Sequence, residues 1–286
     1  MKILIIGSEG QLGSELKRTC PSEISLTALD YPEVDLCDRE SIYNCIREIS
    51  PDWVINAAAY TAVDLAEAEQ NKAYEINCKG VKHLATAVKE GGGRLVQIST
   101  DFVFDGKKSS PYLPDDATNP ESVYGKTKLE GEKAVLEIFG EKALIIRTAW
   151  LYSKTGYNFV KTMLRLMNEK KSLNVIDDQI GTPCWAFGLA LAVWKAIEKN
   201  ISGTLHWTDA GAASWYDFAV AIQEEALSIG LLQKQIPVNP ISSKYYPTPA
   251  KRPAYSVLDK SSALKNLEIT SIHWRAQLRK MLIEKS

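Results

Sequence analysis

The sequence predicts an α/β fold, a doubly wound parallel sheet of Rossmann type with a smaller substrate-binding domain interleaved with it. Three observations carry that expectation. Short apolar runs rich in β-branched residues recur through the first half of the chain, separated by segments of helical periodicity. The first run ends at a glycine-rich turn, Gly7-x-x-Gly10-x-x-Gly13, that opens straight into a helical pattern. After Tyr152 the alternation gives way to a mixture of helices, short strands and proline-rich chain.

Residues 2–7 form an apolar run ended by glycine, the pattern of a buried parallel strand. Glycines at the strand-to-helix turn that follows let main chain approach a pyrophosphate, and a helix N-terminus supplies N–H donors and positive potential. A second strand over 25–30 ends at Asp30, roughly 20 residues beyond the glycines, where an acid can bind the adenosine ribose hydroxyls. An acid there favours NADH and repels the 2′-phosphate of NADPH. Asp35 and Leu36 are a second candidate for the adenosine end. Helical periodicity over 40–49 stops at Pro51. The run 53–59 reads as a strand ending in Ala57, Ala58 and Ala59, whose small side chains let a flat cofactor lie close to the backbone. A loop over 60–68 and a helix over 76–88 follow, the latter ended by Gly91-Gly92-Gly93.

The run 94–101 turns abruptly polar at its carboxyl end, which is the ligand-binding edge of an open parallel sheet. A hydroxyl there, Thr100, can donate to a carbonyl oxygen. Residues 102–121 are rich in Pro, Asp and Ser and read as an active-site loop. The next helix, running to Glu137, places Tyr124 and Lys128 four residues apart on one face. An ammonium beside a phenol stabilises the phenolate, and the spacing predicts a phenol lowered from its usual ~10 into the range of a general acid. A buried strand over 143–150 completes the first half. Beyond it come an amphipathic helix over 159–167, a strand over 173–176, an apolar helix over 186–197 and a strand over 203–207. Ser214 caps a helix to 227, and the tail 237–253 is proline-rich. The expected division is a dinucleotide-binding domain over 1–152, rejoined by 183–210, with 153–182 and 211–286 forming the substrate domain.

Composition narrows the function classes. Of 286 residues 45% are hydrophobic and 24% charged, and the net charge of -1 gives no global field for nucleic acid or anionic membrane. The five cysteines show no Cys-x-x-Cys spacing, which suits a reducing cytoplasm. The three histidines form no ligand pair, so no metal site is expected. No apolar run reaches the ~20 residues that span a bilayer, and the N-terminus lacks a signal-peptide pattern.

The order of glycine-rich turn, strand-end Thr100, Tyr124 and Lys128 resembles the extended short-chain dehydrogenase/reductase superfamily. Within it, the chain resembles the dTDP-4-dehydrorhamnose reductase family. That likeness is carried by Gly10-Gln11-Leu12-Gly13, Asn56 to Asp64, Ser99 to Gly106, Tyr124 to Glu132, Arg147 to Tyr152, Asn158-Phe159, Asp178 to Pro183, Tyr246 to Ala250 and Arg252-Pro253. The resemblance implies NADPH- or NADH-dependent reduction of the 4-keto group of dTDP-4-dehydro-L-rhamnose, by a cytoplasmic monomer or homodimer. It implies Thr100, Tyr124 and Lys128 as the catalytic triad, and Gly7, Gly10, Gln11, Leu12 and Gly13 around the pyrophosphate. Asp35 and Leu36 would lie near the adenine, and Ala57, Ala58, Ala59 and Tyr60 along the cofactor path. Val63, Asp64, Thr100, Asp101, Phe104, Trp150 and Arg252 would face the nucleotide sugar, where an arginine fork suits a diphosphate.

The resemblance also leaves rivals. The regulatory β subunit of methionine adenosyltransferase resembles the same family and is a binding partner rather than an enzyme. A second rival is a reductase of another nucleotide sugar, or an epimerase or dehydratase of the same superfamily. A dehydratase would need an acid-base pair beside Tyr124, where this chain has Asp101-Phe102. Some relatives bridge a dimer through a metal held by acids after the Gly-x-Pro stretch, but 185–191 offers none.

Overall fold

The computed structural model describes residues 1–284. Strand and helix alternate through the first half: β1 (Lys2–Ile6), α1 (Gln11–Arg18), β2 (Ser25–Leu29), α2 (Arg39–Ile49), β3 (Trp53–Asn56) and α3 (Val63–Ala66). Then come α4 (Gln70–Tyr74), a π-helical turn (Glu75–Gly80), α5 (Val81–Glu90), β4 (Arg94–Thr100), α6 (Val123–Phe139) and β5 (Leu144–Thr148). The second half holds β6 (Leu151–Tyr152), α7 (Phe159–Glu169), β7 (Leu173–Ile176), β8 (Ile180–Gly181), β9 (Cys184–Trp185), α8 (Ala186–Glu198) and β10 (Gly203–His206). It ends with β11 (Ala213–Ser214), α9 (Trp215–Ser228), β12 (Val238–Ile241), α10 (Ser261–Leu267) and α11 (Trp274–Ile283).

Six parallel strands form the central sheet in the order β10-β5-β4-β3-β1-β2. Successive side chains of a strand face opposite ways, so β1 feeds both cores. Ile3 and Ile5 join Leu16, Val96, Leu189 and Val193 on one face. Leu4 and Ile6 join Ile42, Leu84 and Val88 on the other. The apolar helix α8 returns from the second half to pack on the first face, and Trp194 Nε1 donates to Thr19 Oγ1 at 3.0 Å. The chain leaves β1 toward β2 and comes back on the other side as β3. A crevice therefore opens at the carboxyl ends of β1 and β3, the switch point where such sheets bind ligands.

A separate core gathers Tyr152, Met163, Trp185, Phe218 and Leu278 from the second half. Three short ladders brace it: β7 with β12, β8 with β11, and β6 with β9. The tail also threads back to earlier chain, through bridges from Leu258 to Tyr112 and from Tyr255 to Ile180. A Cβ on Gly106 would meet Pro253 Cβ at 2.6 Å, so the two segments lie flush.

Some elements depart from the sequence reading. The helix expected over 76–88 begins at Gln70 and passes through the π turn, where Gly80 lies against the carbonyl of Leu36. β3 ends at Asn56 rather than continuing to 59, because the Asn56 amide takes over the pairing: Nδ2 donates to Gln97 Oε1 at 2.8 Å and Oδ1 accepts from Ala58 N at 3.2 Å. The proline-rich tail contains a strand, β12, running parallel to β7.

Candidate active site

The glycine turn is shaped by contacts that exclude side chains. Gly7 has φ +85°, and a Cβ there would fall 2.5 Å from Ala58 N. Its N–H and that of Ser8 both donate to Leu29 O, at 3.0 and 3.1 Å. Gly13 packs against main chain of the same turn, which fixes α1 to β1 but keeps Gly13 itself off the groove. No side chain caps the N-terminus of α1 and no acid lies in its first turn. Its leading N–H groups and positive end therefore face the crevice unneutralised. Asp30 closes the far edge, with Oδ2 accepting from Glu9 N at 2.7 Å and Oδ1 from Tyr31 N at 2.8 Å. On top lies the loop before α7, where Asn158 Nδ2 donates to Gln11 Oε1 at 3.1 Å.

From this turn a groove of about 640 Å³ runs to the end of β4, a size that suits a cofactor or drug-sized ligand. Gly7, Gly10, Gln11, Leu12 and Asp30 line one end, and Ala57, Ala58 and Ala59 the floor. Thr100, Asp101, Tyr124 and Lys128 meet in the middle, with Val63 and Trp150 beyond.

The helix α6 delivers the central pair. Ser122 Oγ caps it by accepting from Gly125 N at 3.1 Å. Glu67 Oε1 accepts from Val123 N at 2.8 Å, tying the helix start to α3. Asn77, in the π turn, grips both neighbours: Oδ1 accepts from Tyr60 N at 2.9 Å, and Nδ2 donates to Tyr60 O at 3.1 Å and to Thr127 Oγ1 at 3.2 Å. Gly125 and Gly131 allow α6 to lie against the carbonyls of Phe102 and Asn77. The helix is thereby located from three sides.

The electrostatics of the pair differ from the expectation. Burial pushes the Tyr124 phenol up to about 12, opposed by the Thr100 hydroxyl and reinforced by the Asp101 charge. Lys128 Nζ donates to Ile98 O, 2.7 Å away, rather than to the phenol. Burial draws Lys128 itself down to about 8, against the pull of the Glu132 carboxylate one turn on. Tyr124 is thus held as a protonated donor, its ring edge-on to Phe102 with centroids 5.5 Å apart. Asp101 is raised to about 6, chiefly by burial. One of its oxygens accepts from Thr100 Oγ1 at 3.0 Å, and the other is buried without a partner. Ser99 Oγ and Thr148 Oγ1, also on the groove wall, are likewise buried and unpaired.

Beyond the pair, Trp150 stands at the end of β5 with φ +45°. Its ring stacks on Trp215, centroids 3.5 Å apart and planes 5° from parallel. Asp64 receives both terminal nitrogens of Arg252, at 2.9 and 2.7 Å, and Ala250 N at 3.2 Å. The guanidinium holds the Asp64 carboxyl below the usual carboxylate range. The fork expected to meet a diphosphate is engaged by Asp64, and neither residue lines the groove.

Three further expectations are corrected. Phe104 is buried, 1% exposed, stacked on Tyr112 at 4.2 Å and covered by Arg147, so it faces the core. Leu36 is packed with Val34, Ile42 and Val81 under the sheet, and Asp35 turns its Oδ1 to Cys37 N at 2.8 Å. Tyr60 points away from the cofactor path, its hydroxyl donating to Glu69 Oε2 at 3.0 Å. The sequence reading passed over Ser99 and Thr148, although each is a polar residue ending an apolar strand, the signal that marked Thr100. It also passed over Asn77, Glu67 and Trp215, for which no local pattern exists.

The sequence pattern described as the RmlD substrate binding domain matches residues 1–286, the whole chain. The chain belongs to this family. It is 40% identical over 286 residues to the dTDP-4-dehydrorhamnose reductase of Aggregatibacter actinomycetemcomitans, covering 97% of each chain. The Escherichia coli K12 protein of the same name is 40% identical over 293 residues, covering 99% of this chain and 98% of that one. Among solved structures, a dTDP-4-dehydrorhamnose reductase from Clostridium acetobutylicum superposes with a TM-score of 0.92 at 42% identity, covering 99% of this chain and 98% of the other. The Bacillus anthracis reductase, in complex with NADP, does so with a TM-score of 0.93 at 34% identity, covering 99% of both.

The local structure fits a dinucleotide on its own terms. The positive-φ Gly7 and the uncapped start of α1 form a cradle that a Cβ would fill. Among the described residues, no group of three or more His, Cys, Asp or Glu side chains is placed to hold a metal ion. No helix among them is long and apolar enough to cross a membrane.

Proposed function

We propose that the chain is an NAD(P)H-dependent reductase that converts dTDP-4-dehydro-L-rhamnose to dTDP-L-rhamnose. The observation that carries this reading is the convergence of Thr100, Tyr124 and Lys128 on one groove beside a dinucleotide-shaped turn, in a chain of the RmlD family. The reduced nicotinamide, when bound, supplies hydride to the 4-keto carbon. The Tyr124 phenol gives its proton to the 4-oxygen as negative charge develops there. The Thr100 hydroxyl donates to the same oxygen and polarises it before reaction. Lys128, anchored on Ile98 O, binds the nicotinamide ribose and places positive charge under the phenol as it ionises. Gly7, Gly10, Gln11 and Leu12 present main-chain N–H groups to the pyrophosphate, and Asp30 meets the adenosine ribose. Asp101, Val63 and Trp150 face the sugar, and Arg252 meets the diphosphate when Asp64 releases it.

Residues 153–182 and 211–286 serve as the substrate-binding part. We place the enzyme in the cytoplasm as a monomer or homodimer, without a nucleic-acid or membrane partner. The experiment is the near-ultraviolet absorbance of reduced nicotinamide, with dTDP-4-dehydro-L-rhamnose generated in place. A sugar-dependent fall with NADPH or NADH is expected. No fall with either, from protein that binds the cofactor, would end the assignment.

A further inference from the structure

The geometry points to Trp215 as a positioning residue for the sugar, acting through Trp150. This inference rests on the functional reading above. Trp150 lines the groove and Trp215 does not; Trp215 stands behind it, its indole parallel to the Trp150 ring at 3.5 Å. Gly181 lies flush against the same ring, since a Cβ there would fall 2.5 Å from Trp150 Cε2. The ring is therefore seated in a slot formed by a glycine and an indole. The slot is built as one unit: β8 pairs with β11, setting Gly181 opposite Ala213 and Ile180 opposite Ser214, and Trp215 follows directly. Ser214 and Asp217 close a reciprocal capping box, with Ser214 Oγ accepting from Asp217 N and Asp217 Oδ2 from Ser214 N, each at 2.9 Å. Phe159 supports the Trp215 ring from another side at 4.6 Å.

Such a slot answers a specific need. Trp150 has φ +45°, a left-handed conformation that a bulky residue adopts only when its surroundings impose it. Among the described residues, Trp215 is the aromatic partner that stacks on Trp150. An indole seated in this slot presents its groove-facing part to a hexose in one orientation, at little conformational cost. The residue that discriminates the sugar is in this view Trp150, and the residue that keeps it in the discriminating orientation is Trp215.

The test is a steady-state comparison of wild type, W215L, W215F and G181A, with NADPH dissociation constants and melting temperatures measured alongside. W215L should raise the KM for dTDP-4-dehydro-L-rhamnose about tenfold, the scale of one lost aromatic stack, with NADPH affinity unchanged. W215F, which keeps a ring in the slot, should recover most of that loss. G181A, which thrusts a methyl into the Trp150 ring, should raise the same KM from the other member of the slot. An unmoved KM in W215L overturns the inference, and so does an equal loss of NADPH affinity, which would mark general damage. If W215L does not fold, an unmoved KM in G181A overturns it instead. A wild-type chain that does not oxidise NADPH with this sugar removes the reductase reading and the positioning role with it. A normal wild-type rate with an unmoved variant KM removes the positioning role alone.

Discussion

At the end of β1 the groove is walled by main chain, whereas past Thr148 its wall is made of side chains drawn from distant segments. The first wall needs Gly7 at φ +85°, the bare start of α1 and three alanines. The second needs Trp150, seated from behind by Gly181 and Trp215, while Asp64 pairs with Arg252 across 188 residues of chain outside the groove lining. Main chain suits a ligand whose recognised part is a pyrophosphate, because N–H groups are present in any sequence once the turn forms. Side chains suit a ligand that must be told from its relatives, because each can be exchanged without moving the sheet. Tyr124 and Lys128 lie between the two, on a helix clamped by Glu67 and Asn77.

The sharpest way to show that the walls converge on one chemical event is to remove the group between them. Tyr124→Phe should lower kcat about 10³-fold or more, the scale of a lost general acid, while fluorescence titration finds NADPH affinity nearly intact. A rate close to wild type would show that the two walls meet somewhere else.

Next in size is Gly7→Ala, which attacks the main-chain wall alone. The added methyl meets Ala58 N at 2.5 Å in a backbone conformation that alanine resists. Cofactor affinity by calorimetry should fall about 100-fold, on the order of 3 kcal/mol, with a lower melting temperature. Undiminished NADPH binding would mean that the cradle is not where the pyrophosphate rests.

Arg252→Ala tests the ion pair beside the groove and, if the fork meets the diphosphate, should raise the sugar KM about tenfold, as for one lost charge-assisted contact. Comparison with Asp64→Asn sharpens this. If the fork exchanges Asp64 for the diphosphate, freeing it should leave the KM unchanged or lower it. A KM raised equally by both changes would mean that the intact ion pair, rather than a freed arginine, sets the sugar affinity.

The smallest effect is expected at Asp30, whose oxygens are held by Glu9 N and Tyr31 N at one end of the groove. Asp30→Ser should shift the ratio of kcat/KM values toward NADPH about fivefold, as one repulsive charge near a 2′-phosphate is relieved. A ratio that stays put would place the adenosine ribose away from this residue.

The contrast between the walls also explains what could be read from residues alone. The glycine turn, the three alanines and the polar end of β4 are local patterns, and the chain bends as their chemistry requires. The 173–176 strand and the Ser214 cap were legible for the same reason. Spacing placed Tyr124 and Lys128 on one face of α6, but could not reveal that Ile98 O would take the ammonium. The family resemblance placed Phe104 against the sugar. Its ring instead found Tyr112 and Arg147, partners supplied by tertiary packing. Asn77 and Trp215 act through residues more than forty positions away, and no window of sequence contains both ends of such a contact.

The tail that returns to Tyr112 and Ile180 has a consequence for the order of synthesis. A ribosome delivers β1 to β5 and the glycine turn well before Arg252, Tyr255 and Leu258. Contacts of such long sequence separation form late and slowly. The growing polypeptide can assemble the glycine turn while the contacts of Arg252, Tyr255 and Leu258 still wait for the last segment to emerge. The nascent molecule thus completes the turn that begins the groove before the segment that fastens Tyr112 and Ile180 has left the ribosome.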